Sequence, residues 1–131
     1  MSVSSITDVH ARRVWDSRGR PTLEVEVTVA SGAVGRAIAP AGASTGSGEA
    51  VDRRDGGDAF GGYDVTKAIT AVNAEFSDAL IGLDAEDQEN ADAVLIGLDG
   101  TPDKNRLGGN AMIAASMAVA HAAAAAAETP L

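Results

Sequence analysis

The sequence predicts an α+β domain: a three-stranded antiparallel β-meander followed by a bundle of about three helices. Apolar residues recur at alternate positions in the first forty residues, then at three- and four-residue spacing from residue 64 onward. The strand-like runs all precede the helix-like ones, an order that belongs to α+β architecture. A length of 131 residues suits one domain with its own core and is short for two.

Residues 6–17, ITDVHARRVWDS, alternate roughly and end at Asp16-Ser17-Arg18-Gly19-Arg20-Pro21, a turn signal. Residues 21–31, PTLEVEVTVAS, alternate cleanly. Leu23, Val25, Val27 and Val29 share one face, and Glu24, Glu26 and Thr28 share the other, as in a strand with one wet side. Ser31-Gly32 then predicts a tight hairpin into AVGRAIAP. Residues 39–57 read APAGASTGSGEAVDRRDGG: a glycine-rich turn, adjacent hydroxyls at Ser44 and Thr45, and an acid-base cluster of Glu49, Asp52, Arg53, Arg54 and Asp55. That cluster reads as a salt-bridge network opening a helix.

The helical period begins after Asp64, the expected N-cap, with Val65, Ala68, Ile69, Val72, Phe76, Ala79 and Leu80 on one face and Gly82 as the stop. A second helix is expected from near Asp84, through Ala91, Val94, Leu95 and Leu98, to Asp99-Gly100. After the polar loop TPDKNR comes a third, with its apolar positions at Met112, Ile113, Met117, Ala120 and Ala124. Small residues lie on nearly all sides of this helix, which implies close backbone approach to its neighbours. It reads as a buried core helix, and also suits a position between this sheet and a further domain.

Composition narrows the functions. Hydrophobic residues make up 45% of the chain and aromatics 3%, so alanine and valine supply most of the apolar surface. The net charge is −9, with two lysines, Lys67 and Lys104, against eight arginines. An acid-rich, lysine-poor, alanine-rich chain resembles the proteins of salt-loving microbes. In molar salt the Debye length falls to about 3 Å, and carboxylate repulsion is screened. An ordinary acidic mesophile protein is the alternative. Binding to a nucleic-acid backbone needs a basic footprint that this chain lacks, so no nucleic-acid role is expected. There is no cysteine, hence neither a disulfide framework nor a thiolate metal site. MSVSSITDVH has neither the basic start nor the apolar run of a signal peptide. The apolar stretch after Asn110 is mostly alanine and reads as a packed helix, not a membrane span. The expected compartment is the cytoplasm.

On generic grounds the glycine-rich loop is a plain turn. A nucleotide-binding P-loop needs lysine and a hydroxyl after its second glycine, whereas Gly46 is followed by Ser47-Gly48-Glu49. The dinucleotide fingerprint fails too, because the loop opens no βαβ unit. His10 and His121 are isolated, without a visible acid partner, and read as packing or surface residues.

Three blocks taken together are more specific. WDSRGRPTLEVEV, GASTGSGEAVDRRDGG and IGLDGTPDKNRLGGNAMIAASMAVAHAAA, in this order and spacing, resemble the enolase family, the glycolytic phosphopyruvate hydratases, over almost the whole chain. The resemblance implies the N-terminal capping domain (residues 1–131) of an enzyme that reversibly dehydrates 2-phosphoglycerate to phosphoenolpyruvate. It implies two Mg²⁺ per active site, and Gly42, Ala43, Ser44, Thr45 and Gly46 as a mobile lid over the substrate, with Ser44 a ligand of the second magnesium. Ala41 stands where the family pattern more often has serine, which removes a lid hydroxyl and leaves Ser44. Arg12 and Glu24 match the region of the family's dimer contact, so a homodimer or higher homo-oligomer is expected. Arg18, in the turn, is left unassigned.

The family's acid-base residues and first-magnesium carboxylates belong to a C-terminal barrel, a domain of about 250 residues. Lys67 and Lys104 do not match the family's catalytic lysine. The expectation is therefore a fragment or truncated product that lacks the barrel and does not catalyse alone. Two alternatives stay open: a stand-alone interaction module derived from such a cap, and a structural piece with no independent role.

Overall fold

In the computed structural model, which describes residues 2–40 and 48–131, β1 (Ile6–Trp15), β2 (Pro21–Val29) and β3 (Val34–Ile38) form one antiparallel sheet in the order β1-β2-β3. The register sets Val9 opposite Val27, Arg12 opposite Glu24, and Val27 opposite Gly35. Leu23, Val25, Val27 and Val29 are all buried, with Glu24, Glu26 and Thr28 on the other face, as the alternation predicted. Each such side chain stabilises the fold by about 1.5–3 kcal/mol through apolar burial, and a one-residue slip would turn the whole set outward.

The β1–β2 turn is held by Asp16, whose Oδ1 accepts the backbone N–H groups of Arg18 and Arg20, each at 2.9 Å. Gly19, at φ +75°, supplies the left-handed residue this turn needs. The β2–β3 connection occupies the four residues between Val29 and Val34, longer than the tight hairpin expected, and Gly32 takes φ +91° within it.

The helices cover one face of the sheet. A short 3₁₀ turn (Ala59–Gly62) precedes α1 (Thr66–Ala71), which runs on through a π-helical segment (Val72–Phe76) into α2 (Ser77–Leu80); α3 (Gln88–Asp99) and α4 (Gly109–Ala126) follow. Val65, Ala68, Val72, Phe76 and Leu80 are fully buried, so the predicted face is the one that packs. The architecture is thus α+β, a three-stranded meander followed by helices.

Four details differ from the sequence reading. Asp64 does not cap α1; it accepts from Arg13 at 3.1 Å, while Asp55 does the capping from across the chain. The residues after the glycine-rich loop open no helix: 50–56 are irregular, and apart from the Asp52–Arg54 pair their polar groups are held mainly by distant segments. The second helix begins at Gln88 with Asp87 as N-cap, accepting from Asn90 N–H at 3.1 Å. Asp84 is occupied elsewhere, accepting from the Ser4 hydroxyl at 2.6 Å and the Glu86 N–H at 3.0 Å.

The last difference is the buried stripe of α4. It runs through Ala111, Ala114, Ala115, Ala118, Val119 and Ala122; of the expected positions Met112 is buried, while Ile113 is 46% exposed and Met117, Ala120 and Ala124 are half-buried. The largest side chains suggested one face, but the sheet selects the smallest. α4 crosses β2 and β3, and a Cβ on Gly35 would stand 2.1 Å from the Ala122 nitrogen and 2.4 Å from the Ala118 carbonyl oxygen. Only a glycine facing alanines permits that approach. α4 is also long and apolar enough to cross a membrane by length and composition alone; here its alanine stripe lies on the sheet.

Candidate functional site

The expected lid residues Gly42, Ala43, Ser44, Thr45 and Gly46 lie outside the described residues, but both stems that carry them are defined. On the entering side, Ala39 donates its N–H to the Leu23 carbonyl at 3.0 Å, and its own carbonyl accepts from the buried Thr22 hydroxyl at 2.8 Å. On the leaving side, Val51 donates to the Asp103 carbonyl and accepts from the Gly109 N–H, both at 2.7 Å. Asn110 completes the attachment. Its side chain accepts the Arg53 N–H at 2.8 Å and donates to the Arg53 carbonyl at 3.2 Å, satisfying both backbone groups of one residue.

This leaving stem lies against two glycines at the start of α4. A Cβ on Gly108, at φ +106°, would sit 2.4 Å from the Arg53 Cβ, and one on Gly109 would sit 2.9 Å from the Ala50 Cβ. The GGN run therefore lets the stem pack against the α4 N-terminus at backbone distance. Sequence reading marked the loop and missed these anchors, because the partners are more than fifty residues apart.

The acid-base cluster divides into separate tasks. Asp55 accepts the Thr66 N–H at 3.1 Å and the Lys67 N–H at 2.9 Å, and also the Thr66 hydroxyl. Burial raises the Asp55 pKa, but these hydrogen bonds outweigh it and hold the carboxyl below its ordinary value. Asp52 is the opposite case: burial raises its pKa, and Arg54, 3.7 Å away, only partly offsets that. Arg54 also donates to the Tyr63 carbonyl at 2.8 Å and to the carbonyl of Pro21, tying the stem to β2.

Arg12 and Glu24 are brought together as opposite residues of β1 and β2, with Arg12 Nη1 2.5 Å from Glu24 Oε1 and Nη2 3.4 Å from Glu26. The hydrogen bond that Arg12 donates to Glu24 holds the Arg12 pKa above its ordinary value. They therefore pair within the chain, on the sheet face opposite the helices. His10 and His121 are both exposed.

Composition concealed another feature. Trp15, Phe60 and Tyr63, three of the chain's four aromatic residues, are 53%, 48% and 41% exposed near the β1–β2 turn. The Trp15 and Phe60 rings meet edge to face at 5.1 Å, and the Arg13 guanidinium lies 5.4 and 5.2 Å from them. Arg20 lies 4.4 Å from the Tyr63 ring. Phe60 adopts φ +50°, a conformation rarely taken by a bulky residue. The scarcity of aromatics was the available signal: so few, and most of them within reach of arginines.

Among the described residues no group of three or more His, Asp or Glu side chains is gathered to hold a metal ion.

The family described as enolase, N-terminal domain, matches residues 6–131. The chain is 56% identical over 124 residues to Enolase 3 of Lactobacillus johnsonii and, equally, to Enolase 1 of Lactobacillus gasseri. Those matches cover 95% of this chain and 29% of each relative, so the chain spans under a third of the length of these curated relatives.

Proposed function

The chain belongs to the enolase family through its N-terminal domain, and from that premise we propose that it caps the active site of a phosphopyruvate hydratase and carries the lid loop that closes over the substrate. The substrate on this reading is 2-phosphoglycerate and the product phosphoenolpyruvate, in the cytoplasm. The seating of the loop supports the reading most directly. The described residues on either side of 41–47, Ala39 and Val51–Arg53, are each tied to the domain's framework by hydrogen bonds. A lid borne on such anchors is expected to close over the substrate and exclude water.

On this reading Ser44 offers one oxygen ligand to the second of two Mg²⁺ ions. That is a chemistry magnesium accepts, since it binds few protein oxygens and shares itself with substrate phosphate. The described residues hold no metal cluster, so the remaining ligands, the proton-abstracting base and the general acid are assigned to a C-terminal barrel acting as partner. This chain's share is positioning: it closes the site and aims the Ser44 hydroxyl.

Association of two copies is part of the same reading. Arg12 and Glu24, on the open sheet face, are the residues this reading places at the contact, and arginine is a residue type enriched at interfaces.

Activity tests the reading in two arms. The 131-residue chain with 2-phosphoglycerate and Mg²⁺ is expected to show no turnover. In the longer enzyme carrying this chain, Ser44→Ala is expected to lower kcat/KM about 100-fold or more. Turnover by the chain alone, or full activity of the variant, would remove the proposed role.

A further inference from the structure

We propose that the cleft between α1 and the segment ending at Leu107 binds a phosphate group, free or carried on a small ester. The cleft has a volume of about 440 Å³ and is lined by Arg53, Lys67 and Arg106, with Thr66 and Thr70 beside them and Glu75 as the one carboxylate among the described lining residues. Three of the chain's ten cationic residues therefore converge on one concavity of a protein whose net charge is −9.

Among the described residues, two of the three cleft cations, Arg53 and Lys67, lack an ion pair, as do Arg20 and Lys104 outside the cleft, while Arg106 is paired with Glu75. Arg12, Arg13, Arg18, Arg36 and Arg54 each lie within 4.0 Å of a carboxylate. Among the described residues, Arg53 and Lys67 have no carboxylate that close. Lys67 feels the charge of Asp55 at longer range, and its ammonium makes no hydrogen bond among the described residues. Arg53 donates one N–H to the Arg106 carbonyl, leaving four of the five donors of a guanidinium.

Arg106 is fixed as the opposite wall. It pairs with Glu75 at 2.8 Å and donates to the carbonyls of Leu98 and Asp99 at 2.6 and 3.2 Å. Arg53 is fixed through its backbone by Asn110. Arg53, with most of its guanidinium donors unspent, and the uncommitted Lys67 ammonium offer the fork and point-charge donors that tetrahedral oxyanions take, with Arg106 as the charged wall beside them. A phosphate has the oxygens to engage all three. Phosphate also carries more charge and more acceptor oxygens than a carboxylate, which suits a cleft with several cations.

The test is a ¹H–¹⁵N titration of the full 131-residue chain with inorganic phosphate and, separately, with glycerol 3-phosphate, each against chloride at matched ionic strength. Saturable shifts centred on Thr66, Lys67, Thr70 and Leu107 are expected. Lys67→Gln and Arg53→Gln, with the dispersion of a folded chain retained, should each weaken binding about tenfold. Tighter binding of the ester than of phosphate identifies an ester as the source; equal binding identifies free phosphate. Shifts that chloride reproduces, or that centre on residues 41–47, overturn the cleft as the site. The latter result would leave the lid reading intact, so the two proposals fail separately.

Discussion

The backbone of Gly35 on β3 and that of Ala122 on α4 approach so closely that a methyl group on Gly35 would stand 2.1 Å from the Ala122 nitrogen. The contact sets the spacing between the sheet and the helix whose N-terminus holds the loop stem. Fold and candidate site are linked through it.

Gly35→Ala forces α4 away from the sheet, because the clash is with helix backbone and not with a movable side chain. A destabilisation of about 3 kcal/mol or more is expected, measured by urea unfolding. Gly48→Ala, at a position with open space around the added Cβ, is the control and should change stability little. Equal effects of the two would contradict the packing described.

Asn110→Ala strips both backbone partners from Arg53 while leaving the helix itself intact. A loss of about 1–3 kcal/mol follows from unpaired backbone groups in a partly buried place. Amide hydrogen exchange should rise locally at Val51 and Arg53. In the longer enzyme, a loosened stem should lower kcat more than the stability loss explains.

Acid should destabilise the fold. Asp16, Asp55, Asp84 and Asp99 all have folded pKa values below the ordinary one, and an unfolded aspartate titrates near about 3.9. Each contributes stability that is present above that value and is lost as pH falls through the lower folded pKa. Asp52 is raised by burial and acts in the other sense, since its ionisation with rising pH weakens the fold. Four groups against one leave a net loss below about pH 4. Asp55→Asn should cost about 1 kcal/mol at neutral pH, as a lost helix cap does, and flatten part of the acid limb in urea unfolding measured against pH.

Arg12 and Glu24 can be exchanged as a pair. Glu24→Arg alone sets two cations opposite each other and should destabilise the sheet modestly, by about 0.5–1 kcal/mol. Adding Arg12→Glu restores the pair within the chain. If the two also meet a second subunit, the double variant should regain stability yet remain monomeric in sedimentation of the longer enzyme. A dimer as strong as wild type would confine the pair to a role within one chain.

Much of this molecule is readable from its periodicities. The alternation of Leu23, Val25, Val27 and Val29 determined a strand and its inner face, because a side-chain period of two admits no other packing. The spacing from Val65 to Leu80 determined a helix and its buried stripe in the same way, and the three quoted blocks pointed to the family. Such signals are local, so they survive in the sequence alone.

Tertiary structure decided what depends on residues far apart in the chain. Asp55, not Asp64, caps α1, because the chain returns past the helix start and puts Asp64 within reach of Arg13. α4 buries its alanines and exposes Ile113, because Gly35 allows a backbone approach that only small side chains can fill. Arg53, Lys67 and Arg106, remote in sequence, became one basic cleft inside an acidic protein. Which partner satisfies a polar group, and how near two backbones come, are settled by competition among all segments at once, and local sequence records only the candidates.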